Sequence, residues 1–319
     1  MNVPATGVRL PWQNVPEQIR KAVESHLGAP VTEAVTQPGG FSPGAAARLT
    51  LADGRRAFAK AVGPEPNPHS PDIYRAEARI AAALPADVPA PRLLASFDSG
   101  GWVALVFEDV DGRAPADPWR ADELTLVLDA LDRLAAGLTP SPVAAPTAGE
   151  RFGEQFQGWR RLAAARDAGW DDLGGLDPWA ARHLDALADL EAGWAAAAEG
   201  GSLVHGDIRA DNLLLTADDE VMVVDWPWAF TGAPWFDLLG MLPSVRMQGG
   251  PPCEEVFAAH PVGRDADPEA VTAVLAALTG YLVRQSRQPD PPGLPTLRAF
   301  QAAQGRTALE WLRARTAWA

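Results

Sequence analysis

The sequence predicts an α+β fold in two lobes, a small β-rich one over residues 1–111 and a larger, mainly helical one over 112–319. Three observations carry this. Short strand-like segments recur over residues 31–62 and 102–110, helical periods dominate beyond residue 111, and one cluster of short strands at 202–224 interrupts the helices. At 319 residues the chain has enough material to bury a core in each part.

Residues 15–27 place Val15, Ile19, Ala22, Val23 and Leu27 at helical spacing, and Gly28 ends that run. Pro38-Gly39-Gly40 breaks the chain. Residues 48–52 and 57–62 alternate on either side of Asp53-Gly54, a strong hairpin turn. Residues 63–72 are Pro-rich and read as a loop, 74–84 as a helix, 102–110 as a strand and 112–118 as the connector between lobes. Helices are expected over 121–138, 152–168, 178–198, 235–245, 269–284 and 295–311, with 139–149 as a linker-like loop.

Composition narrows the class. Hydrophobic content of 47% with 21% charged residues describes a folded protein rather than a disordered one. A single cysteine, Cys253, excludes an internal disulfide and a Cys-rich zinc site. No apolar run approaches the roughly 18 residues of a membrane span, and no apolar segment follows a basic start, so a cytoplasmic protein with no membrane partner is expected. The net charge of −14 argues against a nucleic-acid partner. It is compatible with a cationic small substrate, although solubility explains it better.

The most informative segment is His205-Gly206-Asp207-Ile208-Arg209-Ala210-Asp211-Asn212, followed by Asp225. The spacing H-x-D-x-x-x-x-N is that of a kinase catalytic loop, in which the Asp receives a hydroxyl proton and the Asn binds metal. Apolar strands at 202–204, 213–215 and 221–224 flank the loop and deliver Asp225, with Asp218-Asp219-Glu220 as the turn between the last two. A polar loop between buried strands suits catalytic groups that must be held rigidly.

The segment H-G-D-x-x-x-x-N, then Asp225-Trp226, then Gly232-Ala233-Pro234-Trp235-Phe236-Asp237-Leu238, resembles the aminoglycoside phosphotransferase family. That family shares the protein-kinase-like fold with choline, homoserine and fructosamine kinases. Gly206 stands where protein kinases usually carry Arg, and Trp226-Pro227 replaces the Phe-Gly of D-F-G. The resemblance covers residues 203–240 specifically and 35–112 more loosely. It implies a bilobal kinase fold, ATP or GTP with Mg²⁺, Asp207 as the catalytic base, and Asn212 and Asp225 as metal ligands. It also implies that His205 and Asp237 brace the loop, with Asp211 a solvated neighbour, and that the Glu108 carbonyl and Val110 amide, just after Phe107, bind adenine.

Gly39-Gly40-Phe41-Ser42-Pro43-Gly44 lies between strand candidates, where Gly39, Gly40 and Ser42 suit a phosphate-binding turn. The same residues match G-x-S-x-G, a hydrolase nucleophile elbow. Pro43 lacks the N–H that elbow needs for its oxyanion hole, and a hairpin follows where a helix is required. Of 27 basic residues only Lys21 and Lys60 are lysines. Lys60 sits inside a small, apolar strand, where it needs an anionic partner; phosphate oxygens supply one and Glu77 on the next helix a second.

These features point to transfer of a γ-phosphate to an alcohol on an aminoglycoside-like, amino-sugar or other hydroxylated molecule, in resistance or in metabolism. A protein kinase, or a nucleotide binder without catalysis, is the alternative. Asp171, Asp172, Glu254, Glu255, Asp265 and Asp267 are acidic candidates for holding a cationic acceptor, although a solvated face is the better reading of each. Trp226 and Trp228 are the aromatic candidates.

Overall fold

The computed structural model describes residues 9–37, 44–65, 67–291 and 294–319. The Gly39, Gly40 and Ser42 turn lies outside the described residues. The N-terminal part is an antiparallel five-stranded sheet between two helices. Glu17–Leu27 (α1) buries Ile19, Val23 and Leu27 at i, i+4, i+8, and Gly28 at φ +75° caps it by donating its N–H to Glu24. Strands Val31–Thr36 (β1), Ala45–Leu51 (β2) and Arg56–Val62 (β3) come next. Gly54 makes the β2–β3 turn at φ +86°.

Ser70–Ala81 (α2), Leu93–Ser99 (β4) and Trp102–Glu108 (β5) complete this part, in strand order β1-β2-β3-β5-β4. Alternation along β3 decides which residue meets which helix. Ala57, Ala59 and Ala61 pack with the α1 residues, whereas Phe58 and Val62 pack with Tyr74 and Ala81 of α2. Lys60 therefore falls on the α2 face, between Ala46 of β2 and Leu105 of β5. The expected loop over 63–72 is shorter than predicted. α2 begins at Ser70 because Pro71 in a first turn needs no N–H partner, and it stops short of Pro85.

Arg48 holds the crossing into the helical part, donating to the Val110 carbonyl at 2.7 Å and pairing with Asp109 at 3.3 Å. The expected connector is more than that: Gly112–Arg113 (β6) pairs with Leu215 and Thr216. Helices Ala121–Gly137 (α3), Ala148–Phe152 (α4), Gly158–Asp167 (α5), Pro178–Arg182 (α6), Leu184–Ala192 (α7) and Trp194–Ala197 (α8) succeed it. Two helices expected as continuous are thus broken. The strands Ser202–Val204 (β7), Leu213–Thr216 (β8), Val221–Val223 (β9) and Phe230–Gly232 (β10) form sheets β6-β8-β9 and β10-β7. Phe236–Met247 (α9), Cys253–Ala259 (α10), Pro261–Arg264 (α11), Pro268–Ser286 (α12) and Leu297–Thr316 (α13) close the chain.

α12 sets the floor of the cleft, and a contact between two glycines sets α12. A Cβ on Gly158 would lie 1.9 Å from the Gly280 carbonyl oxygen, so α5 and α12 meet backbone to backbone. The crossing is locked by the Trp159 indole N–H, which donates to the Ala276 carbonyl at 2.9 Å. Glu191 of α7 accepts the backbone N–H groups of Trp159 and Arg160 at 3.1 and 3.0 Å, satisfying the start of α5. Gly158→Ala is expected to destabilise the fold by about 1–3 kcal/mol through overpacking. Urea denaturation should show a lower midpoint with unchanged slope; an unaltered midpoint would mean that the helices are free to separate.

Candidate active site

Lys60 is 8% exposed, and an ammonium that deep in a protein requires anionic partners. It has two. The Lys60 Nζ donates to Glu77 Oε1 and Oε2 at 2.9 and 2.7 Å and makes a third, short contact with Asp225 Oδ1. Tyr74, one turn before Glu77 on α2, sets its ring 5.1 Å from the same ammonium. Burial works to lower the Lys60 pKa, but Asp225 and Glu77 outweigh it and hold the amine firmly charged. Burial raises Glu77, against the pull of Lys60, whereas Asp225, its side chain more exposed, is held low by Lys60.

Asp225 reaches Lys60 through an unusual backbone. Its φ is +73°, a left-handed conformation that a residue with a side chain seldom adopts and that is found where surrounding structure overrides the cost. The neighbouring bonds supply that constraint. Val224 donates its N–H to the Asn212 carbonyl at 3.0 Å, and the Trp226 indole donates to the Val223 carbonyl at 2.9 Å.

The loop from His205 to Asn212 is braced from three sides. Asp237, in the first turn of α9, accepts the N–H groups of His205 and Gly206, each at 2.8 Å. Burial pushes this carboxyl up to about 6 against those two bonds. The fully buried His205 ring accepts the Asp207 N–H at Nδ1 (3.2 Å), so its proton sits on Nε2 and is donated to the Val224 carbonyl at 3.0 Å. Burial lowers the His205 pKa to about 4, so the ring is neutral. Gly206 has φ +82°, and a Cβ there would stand 2.9 Å from the Trp228 carbonyl oxygen. The loop thus admits only glycine between His205 and Asp207.

Asn212 donates from Nδ2 to the Asp207 carbonyl at 2.8 Å and to Asp207 Oδ2 at 3.3 Å, leaving its own Oδ1 without a donor among the described residues. Burial raises the Asp207 pKa to about 6, with Arg209 pulling the other way. Arg209 makes a short contact with Asp207 Oδ1, pairs with Asp211 at 2.9 Å, and lies 5.8 Å from the Phe300 ring centroid. Asp211, expected to be a solvated neighbour, is instead a half-buried ion-pair partner. Arg209 itself was not among the expected site residues, although its place two positions after the loop Asp was a usable signal.

These groups share a cavity of about 640 Å³, whose wall includes Lys60, Glu77, Asp207, Arg209, Asp211 and Asp225. With Asp237, also on the wall, two cations face five carboxylates there, an excess of negative charge that suits a divalent cation. Asp225 Oδ2 and Asn212 Oδ1 are hard oxygens without a described donor, the kind of pair that holds Mg²⁺ when phosphate oxygens complete the shell. Among the described residues no group of three or more His, Cys, Asp or Glu side chains is arranged to hold a metal by itself.

Glu108 and Val110 do not line this cavity. The Glu108 carboxylate accepts from Arg92 at 2.8 Å, and the Val110 carbonyl is held by Arg48. Trp226 is buried edge-on against His205, 4.7 Å between ring centroids, while Trp228 is half-buried on the cavity wall. None of the six acidic candidates lines the cavity: Asp171 pairs with Arg287 at 2.8 Å, Glu254 pairs with Arg315 at 2.7 Å, and Asp267 caps α12.

Comparison with known proteins agrees with this geometry. No curated protein sequence gives a significant match. Among solved structures, the chain is similar to a thermostable mutant of aminoglycoside phosphotransferase APH(4)-Ia in ternary complex with ADP and hygromycin B. The TM-score is 0.59 at 16% identity, over 93% of this chain and 98% of that one. It is equally similar to the choline kinase LicA from Streptococcus pneumoniae, with a TM-score of 0.59 at 14% identity over 93% and 99%. A putative fructosamine-3-kinase from Haemophilus somnus gives 0.56 at 14% identity over 91% and 96%. At these identities the likeness establishes the fold. The family is established by sequence: the model of the phosphotransferase enzyme family, APH, matches residues 38–274, which contain the whole Lys60, Glu77, Asp207, Asn212 and Asp225 cluster. This chain therefore belongs to the APH phosphotransferase family and has the protein-kinase-like fold of small-molecule kinases.

Proposed function

We propose that the protein transfers the γ-phosphate of ATP, or of GTP, to a hydroxyl of a small molecule, with residues 1–111 serving the nucleotide and 112–319 the acceptor. The observation that carries this is the convergence of Lys60, Glu77, Asp207 and Asp225 on one cavity from β3, α2, the His205–Asn212 loop and the exit of β9, with Asn212 hydrogen-bonded to Asp207 behind them. A nucleotide binder without catalysis would have no use for Asp207 beside that metal-binding pair.

In this reading Lys60, kept charged and aimed by Glu77, holds the nucleotide phosphates, which compete with Asp225 for its ammonium. Asp225 and Asn212 would hold Mg²⁺, which when bound neutralises charge on the phosphates. Asp207 orients the acceptor hydroxyl and takes its proton. Asn212 and Asp237 fix the loop that carries it, and neutral His205 spaces that loop from Val224. Arg209, released from Asp207 as the acceptor enters, faces the charge on the transferring group. Gly39, Gly40 and Ser42 are assigned to the phosphates, and the Glu108 carbonyl and Val110 amide to the base. ADP release measured across hydroxylated acceptors tests the proposal. Binding of nucleotide with no acceptor-dependent ADP release would make the chain a binder instead.

Asp207→Ala should lower kcat/KM by about 10²–10⁴ while nucleotide affinity stays within about twofold, since the base acts on the acceptor. Single-turnover assays with calorimetry separate the two, and activity near that of the parent would remove Asp207 from its role. For Asp225→Asn the loss should fall on nucleotide affinity with Mg²⁺ present and not on affinity without it. Titrations in each condition check this.

The pH profile provides a third check. Asp207 must be ionised to accept a proton, and its pKa is pushed up to about 6. kcat/KM should therefore fall about tenfold per pH unit below about 6. Arg209→Gln removes the cation that favours the ionised form, so the acid limb should move to higher pH; movement to lower pH would assign the limb to another group.

A further inference from the structure

We infer that the acceptor is an uncharged, largely apolar, ring-bearing alcohol and not a polycation, an inference that rests on the phosphotransferase function proposed above. Beyond Asp207 the cavity is walled by Phe152, Phe156, Phe236, Tyr281, Leu297 and Phe300. Phe152 anchors this wall, stacked at 5.1 Å on Phe156 and at 6.4 Å on Phe236. Such surfaces reward apolar rings and offer nothing to hydrated ions.

The polar groups on that side are neutral. Gln301, 5% exposed, is oriented by Arg298, which donates to its Oε1 at 2.8 Å, and donates from Nε2 to the Tyr281 hydroxyl at 3.3 Å. Gln304, 8% exposed, makes no hydrogen bond to a described residue and faces the cavity. Its amide stays accessible from the cavity, so its donor and acceptor are open to a ligand. An amide accepts a hydroxyl or carbonyl as partner and compensates an ammonium poorly.

Every carboxylate on the cavity wall lies at the phosphoryl end. Glu77 and Asp225 hold Lys60, Asp207 and Asp211 hold Arg209, and Asp237 accepts two backbone N–H groups. Arg209, freed from Asp207 as the acceptor enters but still paired with Asp211, remains on the wall as a resident cation and disfavours another beside it. Several ammonium groups on one ligand would lose hydration against phenyl rings, and a cation–π contact returns less than that hydration. The net charge of −14 draws cations to the outer surface and speeds encounter, but adds no partner inside the cavity.

The test is calorimetric titration of the full-length protein with a non-hydrolysable ATP analogue and Mg²⁺. One panel holds uncharged ring-bearing alcohols, led by erythronolide B and chloramphenicol, and the other holds the polyamino sugars neamine and kanamycin. The best neutral compound should bind at least about tenfold more tightly than either amino sugar, with little dependence on salt. Gln304→Glu, which inserts the missing carboxylate at constant shape, should narrow that preference by about tenfold. Leu297→Asp, at a half-buried position tolerant of charge, should do the same. Tighter binding of the amino sugars to the parent protein overturns the inference, as does failure of every neutral compound to bind. ADP release with ATP then separates the two levels. A neutral ligand that binds without transfer sinks the phosphotransferase function and leaves the ligand class intact, whereas transfer confined to amino sugars sinks the class alone.

Discussion

An ammonium group in the middle of a sheet is the constraint around which the molecule is arranged. Lys60 stands in β3 with a strand on either side, so water cannot reach it laterally and its charge must be met by anions from above the sheet. Leaving it unmatched would cost several kcal/mol, a large share of the stability a domain of this size commands. Glu77 fixes the rotation of α2 about its axis, because Tyr74, Glu77 and Ala81 must lie on one stripe. Asp225 draws the β9 exit toward the sheet and into a left-handed turn. The sheet, its covering helix and the loop from the helical part are thereby joined through one side chain.

The second constraint is the loop from His205 to Asn212, whose short segment contains more polar groups than its buried setting would tolerate unpaired. Asp237 satisfies them from α9, and His205 and Asn212 from within the loop. The consequence is a loop held by hydrogen bonds at both ends, with the Asp207 carboxylate as its outward group. Its elevated pKa and the neutral state of His205 have one origin, burial, acting on an acid and a base in opposite directions.

Much of this was legible before the fold was known, wherever a local rule had no competitor. Alternation in β3 and the glycines at positions 28 and 54 decide structure within a few residues, and the loop motif fixes its residues by spacing. Legibility failed where the deciding partner is distant. β4 is an edge strand with half its residues exposed, so its apolar pattern is faint and the sequence shows no strand. The helical period over 178–198 runs on through His183 and Gly193, where the helix breaks. The start of α4 was readable, since Thr147 and Glu150 form a capping box. In the site, the Arg209 pairs were invisible because three charges in an eight-residue loop can pair in several ways, and only the fold selects one. Acidic candidates failed for the same reason: Asp171 and Glu254 are claimed by Arg287 and Arg315, 116 and 61 positions away, while Asp267 caps α12.

The contact between Gly158 and Gly280 bears on how such a protein can change. Main chain meets main chain there, so the position of α12 is set without help from the side chains that α12 turns toward the cleft. Leu278, Tyr281 and Leu282 are consequently relieved of any duty in holding the helix at that crossing. Framework and lining are separable along this helix. Descent with altered lining residues can shift what the cleft admits while the chemistry above it, braced by a different set of bonds, is inherited unchanged.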